Sequence, residues 1–217
     1  MKLKLILITV LAFGSMAHAQ GIMSNLSVGV GFEGVFPAAT FDSASYNTGN
    51  GGNPPAQKTT NSVGVVVDAR YDFGRHSALG ASFSLNRSKE IYLDNAQTVS
   101  WVQSNNAEMI GTYIFRLPYN ETVKPYAMFG GGLVRFGPNG TYSASGTPQA
   151  EMKAAFAYGF GSDFKMTDHW GLRLQYRGLL RADPSFKLGT SSSTSGGFGT
   201  GLKAHVPEPS IQVVYHF

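Results

Sequence analysis

The sequence predicts an all-β protein: an eight-stranded antiparallel up-and-down transmembrane β-barrel, preceded by a cleaved signal peptide. Three observations predict it. The chain opens on an export signal. Its remainder alternates apolar and polar residues over runs of about ten, the length of a tilted membrane-crossing strand. It closes on an alternating run that ends in Phe217.

The export signal has three parts in the right order. Lys2 and Lys4 give a basic start, Leu5, Ile6, Leu7, Ile8, Val10 and Leu11 an apolar core, and Ala17-His18-Ala19 a small-residue cleavage site. The apolar run is too short to stay in a bilayer as a helix. Cleavage is expected after Ala19, so that 1–19 is the signal peptide and 20–217 the barrel domain. No second long apolar stretch follows. Any crossing must then be made by strands, because only helices and closed barrels satisfy every backbone group in hydrocarbon. Mean hydropathy of −0.08 suits a wall that is apolar outside and polar inside.

Composition narrows the function classes. With 27 Gly, 15 Phe and 10 Tyr, the chain has the glycine and aromatic content of a barrel. No Cys is present, which excludes disulfides and thiolate chemistry. Removing Lys2 and Lys4 leaves 15 basic against 13 acidic side chains, a net +2, too weak for a nucleic-acid partner.

The alternation places the strands in order. Strand one is Leu26 to Phe36, with Leu26, Val28, Val30, Phe32 and Phe36 outward. A polar loop follows from Pro37 to Asn61. Strand two is Val63 to Phe73, and Gly74-Arg75-His76 turns into strand three, Ser77 to Asn86. A medium loop is expected over Arg87 to Gln97. Strand four is Asn105 to Leu117, followed by the turn Pro118 to Glu121. Strand five is Val123 to Phe136. Gly130-Gly131-Gly132 blurs its phase, and Tyr126, Met128, Val134 and Phe136 are read as outward. The glycines are expected to admit a bulky neighbour or bend the sheet. A loop over Gly137 to Ala150 precedes strand six, Glu151 to Met166. The turn Thr167 to Trp170 leads to strand seven, Gly171 to Arg181. A long loop, Ala182 to Pro209, precedes strand eight.

Connections thus run long, short, long, short, long, short, long, as outer-membrane barrels pair long extracellular loops with short periplasmic turns. Aromatics gather at the short-turn end: Tyr71, Phe73, Tyr113, Phe115, Tyr126, Phe164, Trp170 and Tyr215. Phe36, Trp101, Phe136 and Phe156 are candidates for the opposite girdle.

These residues resemble the small bacterial outer-membrane β-barrel family that includes the transmembrane domain of OmpA. The stretch Gly159-Phe160-Gly161-Ser162-Asp163-Phe164 through Trp170-Gly171-Leu172-Arg173-Leu174-Gln175-Tyr176-Arg177 carries the resemblance, with Lys124-Pro125-Tyr126 before the glycine run. It covers the mature chain and implies localisation in the cell outer membrane. The terminal row Ile211, Val213, Tyr215 and Phe217 resembles the family's C-terminal assembly signal, which implies the barrel assembly machinery as a partner during insertion and outer-membrane lipid as the solvent. No peptidoglycan-binding domain is expected, so a wall-anchoring role is not implied.

The inward phase collects the candidate functional residues: Glu33, Asp68, Arg70, Glu108, Arg116, Asp163, Lys165, Arg173, Gln175 and Arg177. An eight-stranded lumen is just wide enough to be filled by side chains. Buried charges of both signs must pair there. The reading is an ion-pair network that plugs the barrel; the alternative is a narrow path for small solutes. Catalysis finds no support, because His76, His169 and His216 lie at the short-turn end, and His205, read as a loop residue near Glu208, forms no motif. No cofactor or metal is implied. A secreted ligand-binding barrel would need charges outside and an apolar cavity, the reverse of this pattern. The expectation is a non-enzymatic integral outer-membrane protein with an envelope-structural or surface-interaction role, with its loops open to an extracellular ligand.

Overall fold

In the computed structural model, the described residues are 24–41, 56–94, 97–117, 120, 122–144, 146–188 and 203–217. The proposed signal peptide, 1–19, lies outside them. Among the described residues one sheet forms from β1 (Leu26–Val35), β2 (Thr40–Phe41), β3 (Ala56–Thr59), β4 (Ser62–Asp72), β5 (Ser77–Asp94), β6 (Gln97–Arg116), β7 (Val123–Tyr142), β8 (Glu151–Lys165), β9 (Trp170–Ala182) and β10 (Lys203–His216). All pairings are antiparallel between neighbours. The ring closes because β1 pairs with both β4 and β10, and β5 pairs with β6. Eight strands make the barrel. β2 and β3 continue the sheet above it, with β3 on the upper part of β5.

Period-2 alternation sorts the two faces. Val30, Phe32, Val65, Leu79, Phe160 and Ile211 stand exposed on the outer wall. Ser27, Glu33, Asp68, Arg70, Glu108 and Arg173 are buried inside. This inversion of a soluble barrel follows from the solvent: apolar side chains face lipid, and polar ones face each other.

Several strands extend beyond their expected ends. β5 runs to Asp94 and β6 starts at Gln97, so 87–94 and Gln97 are paired strand rather than part of a medium loop. β7 runs on to Tyr142, and β10 starts at Lys203, well inside the expected loop. Pro207 and Pro209 hide that last extension. They lie beyond Ser210, the last residue paired to β1 by register, and Pro207 O only accepts a hydrogen bond from Phe36 N–H. The long first loop contains β2 and β3.

The phase of β7 is also reversed. Tyr126, Met128, Val134 and Phe136 are buried inside, and Phe129 and Leu133 face out. Tyr126 and Phe136 therefore leave the expected girdles. The inward glycines mark close strand approach: a Cβ on Gly130 would sit 2.0 Å from Gly111 O, and one on Gly132 1.9 Å from Met109 O. The short-turn girdle is built from contacting rings, with Phe73 to Tyr113 at 6.2 Å, Tyr113 to Phe129 at 5.6 Å and Trp170 to Tyr215 at 5.1 Å.

Candidate functional site in the barrel lumen

Strand alternation stacks the inward side chains in layers, and β9 supplies a cation to each of the two main ones. Arg173 and Arg177 lie four residues apart on that strand, both buried. In the lower layer Arg173 donates to Asp68 from β4 at 2.6 and 2.9 Å, and to Asp163 from β8 at 2.6 and 3.2 Å. Arg70 lies beside them, 3.3 Å from Asp68 and 3.8 Å from Asp163. Its guanidinium donates to Gln175 Oε1 at 2.6 Å and to the Tyr126 hydroxyl at 3.0 Å. Gly29 leaves room for this layer, since a Cβ there would stand 2.5 Å from an Asp68 oxygen.

In the layer above, Arg177 meets three carboxylates: Glu208 at 2.6 Å, Glu108 at 2.9 Å and Glu33 at 3.2 Å. It also donates to Ser82 at 3.0 Å. Ser84 and Asn86 donate to Glu108. Between the two layers lies a void of about 10 Å³, bordered by Arg70, Ser82, Thr112, Met128 and Gln175. A void of that size holds about one water.

Toward the long-loop end the lumen turns apolar. Ile110, Val134, Phe136, Leu179 and Val206 pack together there, and Phe186 and Leu188 fold in from the segment after β9. The Phe186 ring meets Phe136 edge-on at 6.5 Å. Glu151 holds this segment: Ser185 and Phe186 N–H donate to Glu151 Oε2 at 2.7 and 3.0 Å. Gln57 donates to Pro184 O at 3.0 Å, and Gln149 N–H to Phe186 O at 2.9 Å. The turn needs left-handed backbone at Phe186 (φ 51°) and Lys187 (φ 55°). A further polar group lies on the same end, where Thr59 and Ser88 donate to buried Glu90.

Eight of the ten expected lumen residues, Glu33, Asp68, Arg70, Glu108, Asp163, Arg173, Gln175 and Arg177, meet in these two layers. Arg116 is at the short-turn rim on Asp72. Lys165 is corrected to the same rim: it is 47% exposed and bonds Asp168 in the turn at 2.8 Å. That bond holds the exposed Asp168 carboxyl below its usual range. Glu208 and Tyr126 were missed. Glu208 continues the inward phase of Gln212 and Ser210, a signal broken by two prolines. His205 belongs to β10, on the opposite face from Glu208, and contacts the Tyr158 hydroxyl at 2.7 Å.

Residues 5–217 match the model of a family described as outer membrane protein beta-barrel domain. The chain belongs to that family. It is accordingly an outer-membrane protein. Among solved structures the chain is similar to outer membrane protein AlkL in lipid bilayers, at 14% identity and TM-score 0.54, covering 90% of this chain and 91% of that one. Neisserial surface protein A is similar at 13% identity and TM-score 0.51, covering 89% and 98%. Outer membrane protein OprG from Pseudomonas aeruginosa is similar at 12% identity and TM-score 0.49, covering 90% and 97%. No curated protein matches the sequence. At such identities the likenesses to AlkL and Neisserial surface protein A speak to the fold.

Proposed function

We propose that this family member is a non-enzymatic outer-membrane scaffold with a closed lumen, acting in envelope structure or in surface contact through its extracellular end. The stacking of the lumen carries this reading. Two charged layers, about one water of space between them, and an apolar layer capped by Phe186 fill the bore in succession. Each charged layer is cross-linked between several strands, so it rigidifies the wall while it fills the bore. The outer end has the means for contact, because β5, β6 and β7, at 18, 20 and 20 residues, are longer than a crossing needs. Assembly is proposed to use the outward row Ile211, Val213, Tyr215 and Phe217; all but Tyr215 are exposed on the wall.

Efflux of small solutes from liposomes tests the reading, with heat-modifiable gel mobility confirming folded protein. Solutes larger than water are expected to stay inside. Efflux that scales with protein and cuts off with solute size would replace the scaffold with a narrow channel.

A further inference from the structure

Charge is segregated by face. Among the described residues no carboxylate shares the lipid-facing rows: Glu33, Asp68, Glu90, Glu108, Asp163 and Glu208 are all buried inside. Four cations do stand on the outer wall toward its long-loop end. Lys58 on β3, Arg87 on β5 and Arg135 on β7 are exposed, and the Lys89 ammonium rests 3.9 Å from the centre of the Trp101 ring. Arg87 Nε donates to Asn105 Oδ1 at 2.9 Å, and its terminal amino groups meet no carboxylate among the described residues.

Arg87 also has a definite height. It stands ten residues along β5 from Ser77, whose partner Phe115 is in the short-turn girdle. At about 3.3 Å per residue and a tilt of roughly 40°, ten residues climb about 25 Å. That is the height of the apolar band of an outer-membrane barrel, about 25 Å. Arg87 therefore reaches the headgroup level of the outer leaflet.

Beside it, across the neighbouring strands, the wall is grooved. A groove of about 520 Å³ runs between Phe32, Val63, Val65 and Leu85, with Arg87 and Asn105 at its head. A second, of about 330 Å³, lies on the other side of Phe32 and Val63, against Pro209 and Ile211. Apolar channels open to hydrocarbon, headed by a guanidinium that meets no carboxylate among the described residues, have the form of a lipid with an anionic head.

We propose that this wall is a binding site for a phosphorylated lipid of the outer leaflet, with its phosphate on Arg87 and its acyl chains in the two grooves flanking Phe32 and Val63. Arginine presents paired donors to phosphate oxygens. Lys89, two residues further along β5, and Arg135, two strands away on β7, add positive charge at this end of the wall and favour a phosphate over a neutral head. The site lies on the outer wall, so it goes beyond the lumen reading and does not depend on it.

The test uses the full protein in detergent with two probes that differ only in the phosphate, dioleoyl phosphatidic acid and dioleoylglycerol. Native mass spectrometry reads the lipid retained per barrel. Phosphatidic acid is expected to be retained in several-fold excess, and Arg87→Gln to lower its retention about tenfold, with Arg87→Lys in between. Heat-modifiable mobility checks that each variant is folded. Equal retention of the two lipids, or full retention by folded Arg87→Gln, would overturn the site. Inorganic phosphate is expected to leave the melting temperature unchanged. A rise as large as that with phosphatidic acid would make this a free-anion site and remove the lipid.

Discussion

Replacing Arg173 by Met removes the guanidinium that donates to both Asp68 and Asp163 and leaves two buried carboxylates to share Arg70 as their nearest cation. Breaking a buried pair from one side costs about 3–5 kcal/mol. Arg173→Met is therefore expected to lower the temperature at which the compact gel form is lost, and adding Asp163→Asn to restore part of it, because Asp68 then balances Arg70. A single variant as stable as the parent would mean that the lower layer does not hold the wall. The rim pair Arg116–Asp72 is partly open to solvent, and its loss should cost no more than about 1 kcal/mol. Backbone works at the same scale. Lys187 is exposed and held at φ 55°. Left-handed backbone costs a residue with a Cβ about 1–2 kcal/mol, and glycine escapes most of that. Glycine loses more freedom on folding, so Lys187→Gly is expected to gain no more than about 1 kcal/mol, read from the same thermal transition.

The element most open to test is the segment that closes the apolar end of the lumen. Phe186 fills that end, and the Glu151 carboxylate accepts from both Ser185 and Phe186 N–H. Hydrogen bonds to a charged group contribute about 1.5–3 kcal/mol. Glu151→Ala is expected to speed hydrogen exchange at Ser185 and Phe186 by roughly ten- to a hundredfold, at about tenfold per 1.4 kcal/mol. Exchange in the lower strands should be unchanged, and unaltered exchange at both amides would show that Glu151 is not the latch. The same segment explains what the sequence could and could not reveal. Strand number, ring order and the face of β1, β4, β8 and β9 were legible, because lipid outside and a polar lumen inside impose a clean alternation. Where strands rise past the membrane both faces meet water or protein, alternation fades, and the ends of β5, β6, β7 and β10 read as loops. The lumen is apolar around Phe186, so inward Val134 and Phe136 looked lipid-facing once three glycines had erased the phase. Eight of the ten expected lumen residues follow from parity alone. Their pairing does not, because it depends on how far each strand is staggered against the next.

For the molecule as a whole, one geometry fixes the position in the bilayer. The contacting rings of Phe73, Tyr113, Trp170 and Tyr215 mark one interface, and Arg87 marks the other about 25 Å above. Leu174 stands four residues above Trp170, and Val67 six residues from Phe73, so both fall near the midplane. Leu85 is two residues below Arg87 and falls near the outer interface. All three side chains are exposed on the wall. An arginine on the lipid face costs about 2–4 kcal/mol at the midplane and about 0–1 near an interface. Leu174→Arg and Val67→Arg are therefore expected to lose about 2–4 kcal/mol of folding free energy in vesicles, and Leu85→Arg about 1 kcal/mol or less, as urea titration of the folded gel form would measure. The contrast matters more than any single value. A wrong face would make the midplane variants costly through overpacking in detergent and lipid alike, whereas a lipid-facing arginine is costly in proportion to its depth in hydrocarbon. Equal losses at all three positions would reject the placement and, with it, the headgroup height assigned to Arg87.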